Sequence, residues 1–265
     1  MTISAPIERK SEIAAGVETA YLDVGSGPAL VALHGMRTSS QLFVPLLPHL
    51  DGYRLIAPDL LGHGRTRAPE AGRMDHAAYA QHLREFLDLV PPRSFHLMVH
   101  GLGGLLGLAW ATMRPERVES LTILSTAGAG SGWRSVKSVA MHGWNLIAGR
   151  SAVRVAGGFG PGVPDEIVRE WIEPWTRRRV LRGVNHFGRD HVKAAMEGLG
   201  SLRLPALVVW GGKDRVFPKR HAEHIRATLP HARWIELPNA GHYTPLDAPE
   251  ELAREVVAFI KSLPR

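Results

Sequence analysis

Short apolar runs alternate with amphipathic stretches along most of the chain. Tyr21–Val24, Ala29–Leu33, Arg54–Ala57, Phe95–Val99, Val118–Leu124, Ala206–Trp210 and Arg233–Leu237 have the length and composition of buried strands. Asp75–Val90, Leu102–Met113, Lys219–Leu229 and Pro249–Leu263 read as helices, with Asp75 as an N-cap and Pro115 stopping the second. Turn chemistry separates them, as in Gly25-Ser26-Gly27-Pro28 and Pro58-Asp59. This alternation predicts an α/β fold with a mostly parallel sheet of about eight strands flanked by helices. The rhythm breaks between Thr126 and Gly200, where no clear strand occurs. The expected organisation is therefore a core of residues 1–125 and 201–265, with 126–200 inserted as a helical cap.

Composition narrows the class. The 265 residues are 45% apolar, enough for one sizeable core. No apolar stretch approaches the ~18 residues of a membrane span, and the N-terminal residues lack the apolar centre of a signal peptide, so the expectation is a cytoplasmic protein without membrane contact. Cysteine is absent, which removes disulfides, thiolate catalysis and cysteine-ligated metals. The net charge is +7, but the basic residues are dispersed and the longest block is Arg177-Arg178-Arg179. No nucleic-acid motif accompanies them, so nucleic acid is not an expected partner.

Candidate chemistry lies at the ends of the predicted strands. Phe95–Trp110 is a strand, a glycine-rich turn and a helix, a context in which a nucleophile elbow has the form G-x-S-x-G. Here Val99 stands at its first glycine and Gly101 at the serine. Leu33-His34-Gly35-Met36, Pro58-Asp59-Leu60-Leu61-Gly62-His63-Gly64-Arg65-Thr66, Trp210-Gly211-Gly212-Lys213-Asp214 and Gly241-His242 follow in order around it. Together these five motifs resemble those of the α/β-hydrolase fold family across nearly the whole chain. The resemblance implies an α/β-hydrolase fold, an oxyanion loop at His34–Met36, a catalytic acid at Asp214 and a catalytic histidine at His242. It also marks the departure: Gly101 has no side chain, so no acyl-enzyme can form there. Glycine suits a sharp, strained apex because it takes positive φ at little cost.

The order elbow, acid, histidine matches the family's order and predicts a hydrogen-bonded Asp214–His242 dyad. The oxyanion hole is expected from the Met36 and Leu102 backbone N–H groups, neither of which needs a serine side chain. Candidate substrate contacts are His34, His100 and His186, with Trp133, Trp144, Trp171 and Trp175 of the insertion as an aromatic wall. The plainer roles are also open: His34 and His63 supporting their loops, His100 packing behind the apex, and the tryptophans gluing the cap to the body. Trp171 and Trp175 share a face if Ile167–Leu181 is one helix, although Pro174 can interrupt it. Residues 126–200 hold 11 Lys/Arg against 6 Asp/Glu, which suits either a solvated face or an anionic or carrier-bound substrate. No His/Asp/Glu set has metal-ligand spacing and no dinucleotide fingerprint is present, so no metal or cofactor is expected.

The main reading is an enzyme acting on a carbonyl-containing small molecule through His242, Asp214 and the oxyanion amides. Lyase, elimination and cyclisation chemistry fit it, as does hydrolysis by an activated water. Two alternatives stand beside it: an ester, lactone or thioester hydrolase inactivated by a Ser-to-Gly change at 101, and a non-catalytic ligand-binding protein on the same scaffold. Val99 departs from the family pattern two residues before Gly101, which favours natural divergence over a single engineered change.

Overall fold

The computed structural model describes residues 7, 9–69, 74–128, 163–185, 187 and 189–264. Eight strands form one sheet in the order β1-β2-β4-β3-β5-β6-β7-β8. They are β1 (Lys10–Ala14), β2 (Val17–Gly25), β3 (Ala29–Leu33), β4 (Arg54–Pro58), β5 (Phe95–His100), β6 (Val118–Leu124), β7 (Ala206–Gly211) and β8 (Arg233–Leu237). The six from β3 to β8 are mutually parallel, and β2 runs antiparallel to both β1 and β4. This is the mostly parallel eight-stranded architecture that the alternating pattern predicts.

One strand escapes the sequence pattern. β1 is an exposed edge strand, so its residues carry no apolar alternation to read. It joins β2 through a two-residue turn in which Ala15 and Gly16 both take positive φ, at 49° and 72°. That is the primed turn a hairpin requires, and alanine at its first position gives little warning of it.

Successive residues of the central strands serve two cores. Val31 and Leu33 of β3 and Leu97 and Val99 of β5 join a cluster with helices α1 (His76–Leu89) and α2 (Gly101–Met113). Leu30, Ala32 and Met98 point the other way, toward the 3-10 segment Ser40–His49 and helix α7 (Pro249–Lys261). Asp75 caps α1 as expected, accepting from the Ala78 N–H at 3.2 Å.

In the insertion, α3 (Asp165–Ile172) ends in a short 3-10 turn at Glu173–Thr176, and α4 (Arg178–Asn185) follows. Pro174 therefore interrupts the helix, and Ile167–Leu181 is not one continuous element. Helix α5 (Arg189–Ser201) packs on α2, with Val192, Ala195, Met196 and Leu199 in its apolar cluster. Gly198 permits the approach, since a Cβ there would lie 2.7 Å from Thr112 Oγ1. Helix α6 (Lys219–Thr228) lies between β7 and β8 in the chain.

The strand order also says where chemistry belongs. From β3 the chain passes to β4 on one side and later returns to β5 on the other. The carboxyl ends of β3 and β5 therefore border a topological switch point, where a crevice opens in doubly wound sheets. His34 follows the end of β3, and Gly101 follows the end of β5.

Candidate active site

Gly101 occupies the apex between β5 and α2 with φ +54°, the left-handed region that glycine enters freely. A Cβ built there would sit 3.1 Å from Gly35 Cα and 3.9 Å from the Met36 nitrogen. The apex thus faces the oxyanion loop at contact distance. Gly103 closes the same corner: its N–H donates to His34 O at 3.0 Å, and a Cβ on it would lie 2.5 Å from the Leu33 and His34 carbonyl oxygens. Leu102 is the second residue of α2, so its amide belongs to the free N–H groups of a helix N-terminus, where the dipole favours negative charge. Val99 is fully buried, and its bulk is matched by Gly107, where a Cβ would lie 2.7 Å from Val99 Cγ1.

His242 and Asp214 meet behind this corner. The Nδ1–Oδ2 distance is 3.0 Å, and both side chains are largely shielded from solvent. Asp214 Oδ1 accepts from the Val216 and Phe217 N–H groups at 2.8 and 2.9 Å, which fixes the carboxylate in one orientation. Burial alone would raise its pKa. The hydrogen bonds from His242 and the two amides outweigh that and hold the carboxyl below its ordinary range. The pairing depends on a close approach of backbones, because a Cβ on Gly211 would fall on the Gly241 carbonyl oxygen. Asp247 Oδ2 accepts from the Gly241 N–H at 2.8 Å and braces the histidine loop from the other side.

His100 and His34 are buried supports of this arrangement. His100 Nε2 lies 3.0 Å from the His242 carbonyl oxygen, and its ring is 4.7 Å from that of His242. Burial and the neighbouring His242 push its pKa down to about 3, so it is neutral and donates to that carbonyl. A Cβ on Gly35 would meet His100 Nδ1 at 2.7 Å, which accounts for glycine in the His-Gly motif. His34 spends both nitrogens on protein: Nδ1 lies 2.8 Å from Gly35 O, and Nε2 accepts from the Leu60 N–H at 2.9 Å. It ties the His34–Met36 loop to the Pro-Asp loop. His63 Nδ1 contacts Leu61 O at 3.0 Å, and burial lowers its pKa to about 4.

Of the insertion's candidates, Trp171 and Trp175 are both buried. Trp171 Nε1 donates to Ser39 Oγ at 2.9 Å, an anchoring role. The Trp175 ring centroid is 5.5 Å from that of His63. Trp133, Trp144 and His186 lie outside the described residues. Among the described residues no group of three or more His, Asp or Glu could hold a metal ion. A groove of about 830 Å³ lies elsewhere, against Arg9, Glu18, Arg65 and Arg67, and includes no residue of the dyad, apex or oxyanion loop.

Sequence reasoning missed three features. Arg9 lies 3.1 Å from Asp59, donates to Glu170 Oε2 at 2.9 Å and bonds Ser39 and Ser40, tying β1, the Pro-Asp loop and α3 together. Tyr243 packs on His242 with ring centroids 4.9 Å apart. Arg37 follows the oxyanion loop with positive φ (61°) and lies over Trp175.

Comparison with known proteins shows the family and the fold. A model of the alpha/beta hydrolase family matches residues 30–255. A dihydrolipoyllysine-residue acetyltransferase component of an acetoin cleaving system from Pseudomonas putida is 30% identical over 268 residues, spanning 97% of this chain and 70% of that protein. Haloalkane dehalogenase 2 from Mycobacterium bovis is 26% identical over 261 residues, 89% of each chain. The solved structure of a meta-cleavage product hydrolase from Pseudomonas fluorescens IP01 superposes with a TM-score of 0.78 at 24% identity, covering 95% of this chain and 97% of that one.

Proposed function

The chain belongs to the alpha/beta hydrolase family, and on that premise we propose that it is an enzyme acting on a carbonyl compound through the His242–Asp214 dyad without a covalent acyl intermediate. The observation that carries this reading is a 3.0 Å dyad beside an apex with no side chain. With Nδ1 committed to Asp214, the imidazole has Nε2 for proton transfer, and the carboxylate stabilises the imidazolium that forms. Met36 and Leu102 supply the amides that would hold a developing oxyanion, a contribution of ~3 kcal/mol per donor in proteases. His242 then removes a proton from the substrate or from an attacking water. Elimination, C–C cleavage, ring closure and water-mediated hydrolysis all need that arrangement and nothing from residue 101. The relatives bear names ranging from acyltransfer to dehalogenation, so the scaffold does not choose among these reactions.

We read the insertion 126–200 as a lid, and Trp175 within it packs 5.4 Å from the Cζ of Arg37, the residue after Met36. No helix among the described residues is long and apolar enough to cross a membrane. Packing of Val99 against Gly107 favours an elbow adapted to glycine over a recently lost serine. A second reading draws on the space at the apex: among the described residues outside its own turn and helix, a Cβ at 101 meets Gly35 Cα and the Met36 nitrogen within 4 Å, so a hydrolase with its serine replaced would look similar. The test is a panel of esters, lactones, thioesters, β-hydroxy ketones and diketones assayed with the protein, His242→Ala and Asp214→Asn, with intact-mass analysis during turnover. Loss of turnover in His242→Ala with no acyl adduct is the expected result. Turnover independent of His242, or a covalent adduct on the chain, overturns the reading.

A further inference from the structure

The residue after Met36 carries a charge that this chemistry does not use. Arg37 Nε and Nη2 are buried and have no hydrogen-bond partner among the described residues. Arg37 as a whole is only partly buried, but its Nε–Nη2 edge is shielded, and shielded cationic N–H groups are ordinarily paired because desolvating them is costly. Arg9 shows the usual solution, with Asp59 and Glu170 on its guanidinium. Arg37 instead has an aromatic face, its Cζ lying 5.4 Å from the Trp175 ring centroid. Trp175 Nε1 is likewise buried without a hydrogen-bond partner, as are His63 Nε2 and Tyr79 Oη nearby. On the other side the Tyr243 phenol is close enough to act electrostatically on Arg37, and Tyr243 packs on the ring of His242. The guanidinium therefore links the insertion to the ring beside the base. Its backbone is held at φ 61°, a conformation costly for a residue other than glycine and kept mainly where the surroundings impose it.

The unpaired atoms have a shape. Nε and Nη2 form one edge of the guanidinium, two parallel N–H groups that match the two oxygens of a carboxylate. We propose that Arg37 is a specificity residue of this site, clamping a carboxylate of the substrate while its carbonyl lies at the Met36 and Leu102 amides. The proposal rests on the reading of the dyad site as catalytic and names its substrate class: a short oxo acid, or the half-ester of a dicarboxylic acid. Met36 and Arg37 are consecutive residues, so the carbonyl anchor and the carboxylate anchor belong to one loop, and the reach of the arginine side chain sets the spacing between them. The charge balance favours a monoanion. Burial keeps His34 and His63 neutral and Arg9 is paired with Asp59 and Glu170, so among the described residues around His34 it is Arg37 that offers unpaired cationic N–H groups.

The test is equilibrium binding, followed by titration calorimetry. The probes are 4-oxopentanoate, 5-oxohexanoate and monomethyl glutarate, each paired with its primary amide and with the phosphonate of equal length. The carboxylates should bind on the order of tenfold to a hundredfold more tightly than the amides, as expected for a charge-assisted bidentate pair. Arg37→Gln should erase the difference, and Arg37→Lys should restore part of it without the fork. His242→Ala should keep the preference while losing turnover, so failure of the catalytic reading and failure of this one are separable. If no carboxylate outbinds its amide in the unaltered protein, the proposal is overturned, with no variant needed. A folded Arg37→Gln protein that retains the preference overturns it too, and tighter binding of the phosphonate refutes the monoanion assignment.

Discussion

Placing serine at position 101 asks most directly whether this elbow was built for glycine. The substitution puts a side chain on a residue held at φ +54°, and a non-glycine residue in that region costs of order 1–3 kcal/mol. The new Cβ would also stand 3.1 Å from Gly35 Cα, a contact that requires a small shift of the oxyanion loop. Below Gly35 lies His100 Nδ1, so the loop has little room to retreat. We expect a loss of roughly 1–2 kcal/mol and a fall in melting temperature of roughly 2–8 °C, followed by differential scanning calorimetry. The fold should persist, since among the described residues outside its own turn and helix the next contact is the Met36 nitrogen at 3.9 Å. For activity, nitrophenyl acetate should give no acyl burst with the unaltered protein, and serine-directed phosphonates should not label it. Gly101→Ser should add little esterase activity, because a misplacement of ~1 Å in a nucleophile can cost about a hundredfold. A gain of several orders of magnitude in ester hydrolysis would refute this reasoning and leave an ordinary hydrolase that has lost its serine.

Three further outcomes are expected. Gly211→Ala drives a Cβ into the Gly241 carbonyl oxygen, so the Asp214 and His242 loops must separate; stability should drop by more than about 3 kcal/mol, and a urea midpoint unchanged from the parent would contradict this. Arg9→Met strands the buried Asp59 carboxylate and frees Glu170, which should cost roughly 3–5 kcal/mol; a loss under about 1 kcal/mol in equilibrium unfolding would show that the network is dispensable. Thermal stability should fall as pH drops from about 6.5 toward 4, because His63 and His82 (each lowered to about 4), His100 (to about 3) and His34 stay neutral in the fold but take up protons when unfolded. Each contributes up to ~1.4 kcal/mol per pH unit in that window. Asp214, held below its ordinary value of 3.8, loses its contribution only at lower pH, and the raised pKa values of Asp59 and Asp247 act in the opposite sense. A melting temperature constant from pH 7 to 5 would contradict the histidine assignment.

Much of this protein was written in local sequence. Ala29–Leu33 is a continuous apolar run because helices cover both faces of the central sheet, and Val118–Leu124 is a mostly apolar stretch rich in β-branched residues, so both strands were legible in the sequence. The Asp75 cap and the break at Pro174 follow from backbone chemistry acting within one turn. The order of the glycine-rich turn, Asp214 and His242 indicated a family and its dyad, and the 3.0 Å pairing agrees. What stayed hidden was set by partners distant in the chain. β1 is a strand because β2 pairs with it, not because its own residues demand one. Val99 looked anomalous until Gly107, a turn and a half into the following helix, proved to make room for it.

Sequence by itself thus determined the α/β class, the strands of the central sheet and the glycine at the apex, and it singled out Asp214 and His242 as the candidate pair, since each depends on hydrophobic period, turn residues or motif order. Only the tertiary structure decided which buried polar groups are satisfied. Arg9 and Arg37 are both arginines beside polar residues in the sequence, yet one meets two carboxylates and the other faces an indole. The physical reason is that the cost of burying a charge is set by what the fold brings to within a few ångströms of it. Those neighbours, Glu170 for Arg9 and Trp175 for Arg37, lie more than a hundred residues away along the chain.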